Sequence, residues 1–168
     1  MPASSPARAR SLSRADREVV DSVSAVLDTA GVHAALAALN ARVPHRFTGV
    51  YRVEAPILRS IRLFDRENPR LEVGADAPLR ETYCSLVAAD AAPFATDDAR
   101  DDAGLATHPA RMTTIAYCGV PLGDVGTLCH FDLRPQPVPA DEIPLLVAVA
   151  DLVLARLRAD GVVAPAVE

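Results

Sequence analysis

Residues 117–132, YCGVPLGDVGTLCHFD, decide how this chain is read. Apolar and polar side chains alternate on either side of a Gly-Asp-Val-Gly turn, the pattern of an antiparallel hairpin. With the turn centred on Asp124 and Val125, Val120 faces Cys129 and Cys118 faces Phe131, so both cysteines share one face as diagonal neighbours. Such neighbours lie about 7–8 Å apart. A disulfide needs α-carbons at roughly 4.4–6.8 Å, so the two are expected as small buried hydrophobes beside Val120, Leu122 and Phe131. The opposite face carries Tyr117, Leu128, His130 and Asp132. Polar groups cost about 1–3 kcal/mol each when buried without a partner, so that face is expected to line a cavity or to meet solvent. A register change of one residue would send the two thiols to opposite faces.

Working outward, residues 1–12 hold little to bury and read as a flexible tail. Ser13 is a candidate N-cap for an amphipathic helix over 14–29, and a second helix runs from 32 to about 42, stopped before Pro44. The period then changes to two. Residues 46–54 place Phe47, Gly49, Tyr51 and Val53 on one side, and 57–65 place Ile57, Ile61 and Leu63 on one side, with Ala55-Pro56 as the turn. Residues 66–77 read as loop, 78–90 as a short helix opened by Pro78, and 93–96 as a brief strand. The segment 97–111, with Asp97, Asp98, Asp101, Asp102 and Pro109, reads as a loop. After the 117–132 hairpin, acidic residues precede an almost continuous apolar stripe that ends in arginines, which suits the dipole of one long helix. Antiparallel hairpins between terminal helices predict one α+β domain over 13–160, with a second flexible tail at 161–168.

At 168 residues, half of them apolar, the chain can bury one substantial core. A net charge of -5 and no basic stripe argue against nucleic acid as a partner. All the basic residues are arginine, which fits a GC-rich coding bias. Three cysteines without a secretory leader point to free thiols in the cytoplasm. The longest apolar run, 143–157, is cut by Asp151 and Arg156 and falls short of the roughly 20 residues of a membrane span, so no membrane partner is expected.

The series TYCSLV (82–87), PFATDDARDD (93–102), HPAR (108–111), YCGVPL (117–122) and GTLCHFDLRPQPV (126–138) resembles the bacterial GAF domains found ahead of histidine kinases and cyclic-dinucleotide enzymes. The likeness covers about residues 20–158. It implies a GAF-like antiparallel sheet of five or six strands, with the N- and C-terminal helices packed on one face and a ligand pocket, roofed by 66–111, on the other. It further implies a stand-alone sensory domain that binds a small molecule and signals as a homodimer through its terminal helices or through a separate signalling protein. The sequence names no cofactor. A ligand-free interaction module is the alternative, distinguished by a filled pocket. His130 departs from the family, where an aliphatic residue is frequent.

The ligand-binding residues expected on this basis are Tyr83, Cys84 and Ser85 from the short helix, Asp98, His108 and Arg111 from the roof, and Tyr117, His130 and Asp132 from the sheet. Arg111 is the candidate for an anionic ligand. A GAF-fold free methionine sulfoxide reductase is the enzymatic rival, but its catalytic thiol would lie where Arg111, Met112 and Thr113 stand. Cys129-His130 has the dipeptide of a bilin attachment site, though in a strand. No metal is expected, because His33, His45, His108 and His130 show no ligand spacing. The expected protein is not an enzyme.

Overall fold

A computed structural model describes residues 11–167, so most of the tail expected over 1–12 lies outside the described residues. The elements are α1 (Arg14–Ala30), α2 (Val32–Asn40), β1 (Phe47–Glu54), β2 (Ile57–Asp65), β3 (Ala77–Pro78), α3 (Cys84–Asp90), β4 (Phe94–Thr96), β5 (Ala116–Leu122), β6 (Gly126–Asp132) and α4 (Glu142–Ala159). The strands form one antiparallel sheet in the order β3-β2-β1-β6-β5-β4. Its centre is the pairing of β1 with β6, far apart in sequence, so the two hairpins share one layer.

Local chemistry sets the ends of the elements. Ser13 Oγ accepts the Asp16 N–H at 3.0 Å while the Asp16 carboxylate accepts the Ser13 N–H at 3.3 Å, a capping box that starts α1. Gly31, at φ +89°, ends α1 and lets α2 begin at once. The helix expected over 78–90 forms only from Cys84. Pro78, which has no N–H to give a ladder, lies on the edge strand β3, and Thr82 adopts an extended backbone between a 3-10 turn (Leu79–Glu81) and α3. At the other end, Gly161 at φ +72° turns the chain so that Val163 packs into the core, so the ordered chain runs past residue 160.

Both faces of the sheet are buried. Val23 and Leu27 of α1, Leu36 and Leu39 of α2, and Leu145, Leu146, Val149, Val153 and Leu157 of α4 pack on Val50, Ile61, Cys118, Val120, Leu122 and Leu128. The second cluster joins Tyr51, Leu58, Tyr117 and Cys129 to Tyr83, Cys84 and Val87 around α3, with Ala99, Leu105 and Ala110 from the long loop.

Two register details differ from the sequence expectation. A bulge at Val50/Tyr51 skips one residue of β2, so Leu63 pairs with Gly49 while Ile61 joins the helix-side core. More consequentially, β5 and β6 pair Cys118 with His130, Gly119 with Cys129 and Tyr117 with Phe131, one residue away from the expected register. Three residues, not two, form the turn, and Gly123 at φ +52° supplies the left-handed conformation it needs. Every side chain of β6 therefore changes face: Cys129 turns to the α3 side, and His130 goes under α4.

There His130 is held in a chain of hydrogen bonds. Asn40 Nδ2 donates to Thr48 Oγ1 at 3.0 Å, the Thr48 hydroxyl meets His130 Nδ1 at 2.7 Å, and His130 Nε2 meets Glu142 Oε1 at 2.8 Å. Arg42 closes the chain on Glu142 Oε2 at 2.8 Å. Burial alone would raise the Glu142 carboxyl, but His130 and Arg42 outweigh it and hold it below the usual carboxylate range. His45, fully buried, stacks on His130 with ring centres 5.9 Å apart. Neither of its ring nitrogens has a partner. Desolvation first, then the neighbouring His130, lowers its pKa to about 4.

Candidate functional site

Beneath α3 the sheet leaves room because two glycines flank a cysteine. Gly49 of β1, Cys129 of β6 and Gly119 of β5 are in register across three strands. The Tyr51 ring lies where a side chain at residue 49 would stand, and the Tyr117 ring covers residue 119 in the same way. A Cβ at residue 49 would meet Tyr51 at 2.7 Å, and one at residue 119 would meet the Tyr117 ring carbons at 2.6 and 2.7 Å. Glycine is required here for close approach, since both tyrosines fold flat onto the sheet.

Above this floor is a cavity of about 190 Å³ lined by Tyr51, Leu58, Ala75, Ala77, Glu81, Thr82, Tyr83, Cys84, Thr114, Tyr117, Cys129 and Phe131. Ala75 and Glu81 are its exposed members. Tyr83 packs edge-on to Tyr117 at 5.6 Å, and Phe94 lies 5.8 Å from Tyr83. The Tyr83 hydroxyl is buried without a partner. Desolvation pushes the Tyr83 phenol to about 12 and those of Tyr51 and Tyr117 well above the ordinary value, so all three keep a proton to donate at neutral pH. No guanidinium or imidazole is among the lining residues, and Glu81 carries the one carboxylate.

Cys84 Sγ meets two hydroxyls of the cavity floor. It lies 3.3 Å from the Tyr117 hydroxyl and accepts from Thr127 Oγ1 at 3.1 Å. The neighbouring Cys129 and these hydroxyls hold Cys84 below the ordinary thiol range against the effect of burial. Desolvation first, and then the neighbouring Cys84, push Cys129 well up.

Solved structures share this fold. The GAF domain of an Acinetobacter phosphoenolpyruvate-protein phosphotransferase is similar at TM-score 0.70 and 13% identity, over 92% of this chain and 99% of that one. A free methionine-R-sulfoxide reductase from Neisseria meningitidis, in complex with its substrate, is similar at TM-score 0.66 and 16% identity, over 91% and 96%. The phycocyanobilin-bound GAF domain of a cyanobacterial phytochrome is similar at 0.63 and 15%, over 90% and 97%. No family model and no curated protein matches the sequence. The chain has the GAF fold.

Within this GAF fold, Tyr83, Cys84 and Tyr117 of the nine expected residues line the cavity together. His108 supports it from behind, its ring 4.8 Å from that of Tyr83 and its Nδ1 accepting the Ala110 N–H at 3.1 Å. Ser85 is turned away and donates to the Thr82 carbonyl at 2.6 Å. Asp98 and Arg111 belong to the loop surface: Asp98 binds the Arg100 guanidinium at 2.7 and 2.9 Å, and Arg111 donates to the Arg100 carbonyl. His130 is on the helix side for the register reason given above. Asp132, at the end of β6, accepts the backbone N–H groups of Arg46 and Arg134 at 2.9 Å each and fastens two loops.

Sequence reasoning missed Tyr51, Thr127 and Cys129. Two interior strand glycines, in TGVY and CGVP, were the available signal, because a central strand without a side chain marks the close approach of another group. Among the described residues no helix is long and apolar enough to cross a membrane, and no three His, Cys, Asp or Glu side chains are grouped to hold a metal ion.

Proposed function

We propose that this chain is a regulatory GAF-like domain that binds a compact organic molecule in the cavity beneath α3 and passes the bound state to a second copy or a separate signalling protein. The cavity itself carries this reading. An interaction module without a ligand would have a floor filled by side chains, whereas here two glycines and two flattened tyrosines hold about 190 Å³ open. Binding sites for drug-sized ligands measure about 300–1,000 Å³, so the guest is smaller than these and far smaller than a bilin.

Lining chemistry narrows the guest further. Aromatic rings on three sides, donor phenols and one carboxylate suit a neutral or cationic molecule with acceptor groups, and offer an anion no countercharge. For the dimer, α4 offers a solvent-side stripe of Ile143, Val147, Ala148, Leu152 and Ala155, half-buried or exposed, interrupted by Asp151. The output class of the similar bacterial GAF domains and a cytoplasmic setting are part of this proposal.

Native mass spectrometry of the protein from its host cytoplasm tests it. A small ligand retained by the wild-type chain is expected to be lost in Ala77→Leu, which fills the cavity from β3. A wild-type chain that emerges bare, with no thermal shift across neutral and cationic metabolites, would refute ligand binding. Val147→Glu in the same spectra tests the dimer.

The rival enzymatic reading has one observation in its favour, two thiols in one cavity. Turnover of free methionine sulfoxide with a thiol reductant, abolished in Cys84→Ser, would establish it in place of the sensor reading.

A further inference from the structure

The three cysteines divide by environment in a way that ligand binding leaves unexplained. Cys118 lies on the helix side of β5, sealed in the main core, where burial pushes its thiol to about 12. Cys84 and Cys129 both line the cavity, one from the first turn of α3 and the other from the middle of β6, two residues along the strand from the Thr127 that touches Cys84. Two hydroxyls, Thr127 Oγ1 at 3.1 Å and the Tyr117 phenol at 3.3 Å, also converge on the Cys84 sulfur. A sulfur approached by two hydroxyls is stabilised as the thiolate, the form that attacks electrophiles, and the neighbouring Cys129 acts in the same direction. Its neighbour, with its proton retained, stands beside it as a partner in reserve.

We propose that Cys84 and Cys129 are a hydroperoxide-oxidisable pair that closes to a disulfide across the floor of the cavity. The Cys84 thiolate attacks one oxygen of the hydroperoxide. The S–O bond forms, the O–O bond breaks, and the alkoxide leaves as an alcohol, taking the proton that Cys84 gave up. Cys84 is then a sulfenic acid. The Cys129 sulfur attacks the Cys84 sulfur, forming the S–S bond and expelling hydroxide, which takes the Cys129 proton and leaves as water. Two thiols supply two electrons, and one hydroperoxide is reduced to an alcohol and water. A thiol reductant reverses the bond. The disulfide changes the sulfur to which Thr127 donates and against which the Tyr117 hydroxyl rests, so oxidation alters the cavity at its floor.

This inference does not require an organic ligand, and its test can be read on the full chain alone. Reduced protein is treated with hydrogen peroxide, the remaining thiols are blocked, and the peptides are mapped. The wild type and Cys118→Ser are expected to yield the peptide linked through Cys84 and Cys129. Cys129→Ser is expected to stop at a sulfenic acid on Cys84 that dimedone traps, and Cys84→Ser to leave Cys129 reduced. Thr127→Val keeps both thiols and is expected to slow oxidation about tenfold, the value of one hydrogen bond to a charged acceptor. Oxidation of Cys118 before the pair, of Cys129 at the wild-type rate in Cys84→Ser, or of no thiol short of unfolding would overturn the proposal. So would a Thr127→Val variant that oxidises as fast as the wild type.

Discussion

On the helix side of the sheet, Asn40, Thr48, His130, Glu142 and Arg42 form one unbroken run of donors and acceptors, whereas on the α3 side the sheet buries phenols and thiols around an open space, with the Tyr83 hydroxyl left without a partner. Both sites are buried and both are polar. The first spends the run from Asn40 to Arg42 on holding α4 to the sheet, leaving the His45 ring nitrogens beside it unpartnered. The second keeps some of them available to something that is not part of the chain.

If that contrast is right, the helix side carries the stability. Glu142→Ala should have the largest effect, about 3–5 kcal/mol by chemical denaturation, because it strands Arg42 and His130 without their common acceptor. Replacing His130 and Glu142 together with leucine should recover much of the loss, since a packed apolar pair removes the stranded groups. A loss under about 1 kcal/mol in Glu142→Ala would mean that the network is not what locks the helix.

Next in size is the acid limb set by His45. In the unfolded chain this imidazole takes up a proton near 6.5, and in the fold only near about 4. Between those values the unfolded state binds more protons, so stability present above pH 6.5 is lost as pH falls toward 4, by an amount on the order of 2–3 kcal/mol. Glu142 and Asp65, carboxyls held below their usual range, add to the loss at lower pH with the same sign. His45→Phe, read by urea unfolding across this window, should flatten the upper part of the limb and leave the lower part in place. An unchanged limb would show that His45 reaches solvent.

Helix and strand positions were legible because each depends on local pattern: the capping Ser13, the stop at Gly31, the change to period two at Phe47. The face of β6 was not. It rests on whether two or three residues make the turn between Leu122 and Gly126, and GDVG accommodates either. That single residue moved His130 out of the expected cavity and brought Cys129 in. Asp98 and Arg111 lie away from the cavity for a different reason: each bonds to Arg100 within its own loop, and the distances that decide this come from a fold and not from spacing. The one-residue shift is also what puts Cys118 and Cys129 on opposite faces.

On the cavity side, smaller stability effects should accompany larger binding effects. Gly119→Ala sets a methyl group against the Tyr117 ring and must displace it from the Cys84 sulfur, at about 1–3 kcal/mol. Gly49→Ala does the same to Tyr51. Each should release a ligand retained by the wild type, which native mass spectrometry would show as a bare chain of near-native stability. Full retention in both would mean that the flattened tyrosines are not part of the site.

The smallest effect is expected at Arg111, and it discriminates most sharply between the two views of the ligand. One end of its guanidinium goes to the Arg100 carbonyl while its Nε is buried without a partner, and it contributes nothing to the cavity wall. Arg111→Ala should therefore keep stability within about 0.5 kcal/mol and leave ligand retention unchanged. A guest lost from that variant would have to be an anion reaching out of the cavity toward the loop, and the uncharged aromatic lining would then be its rim and not its recognition surface.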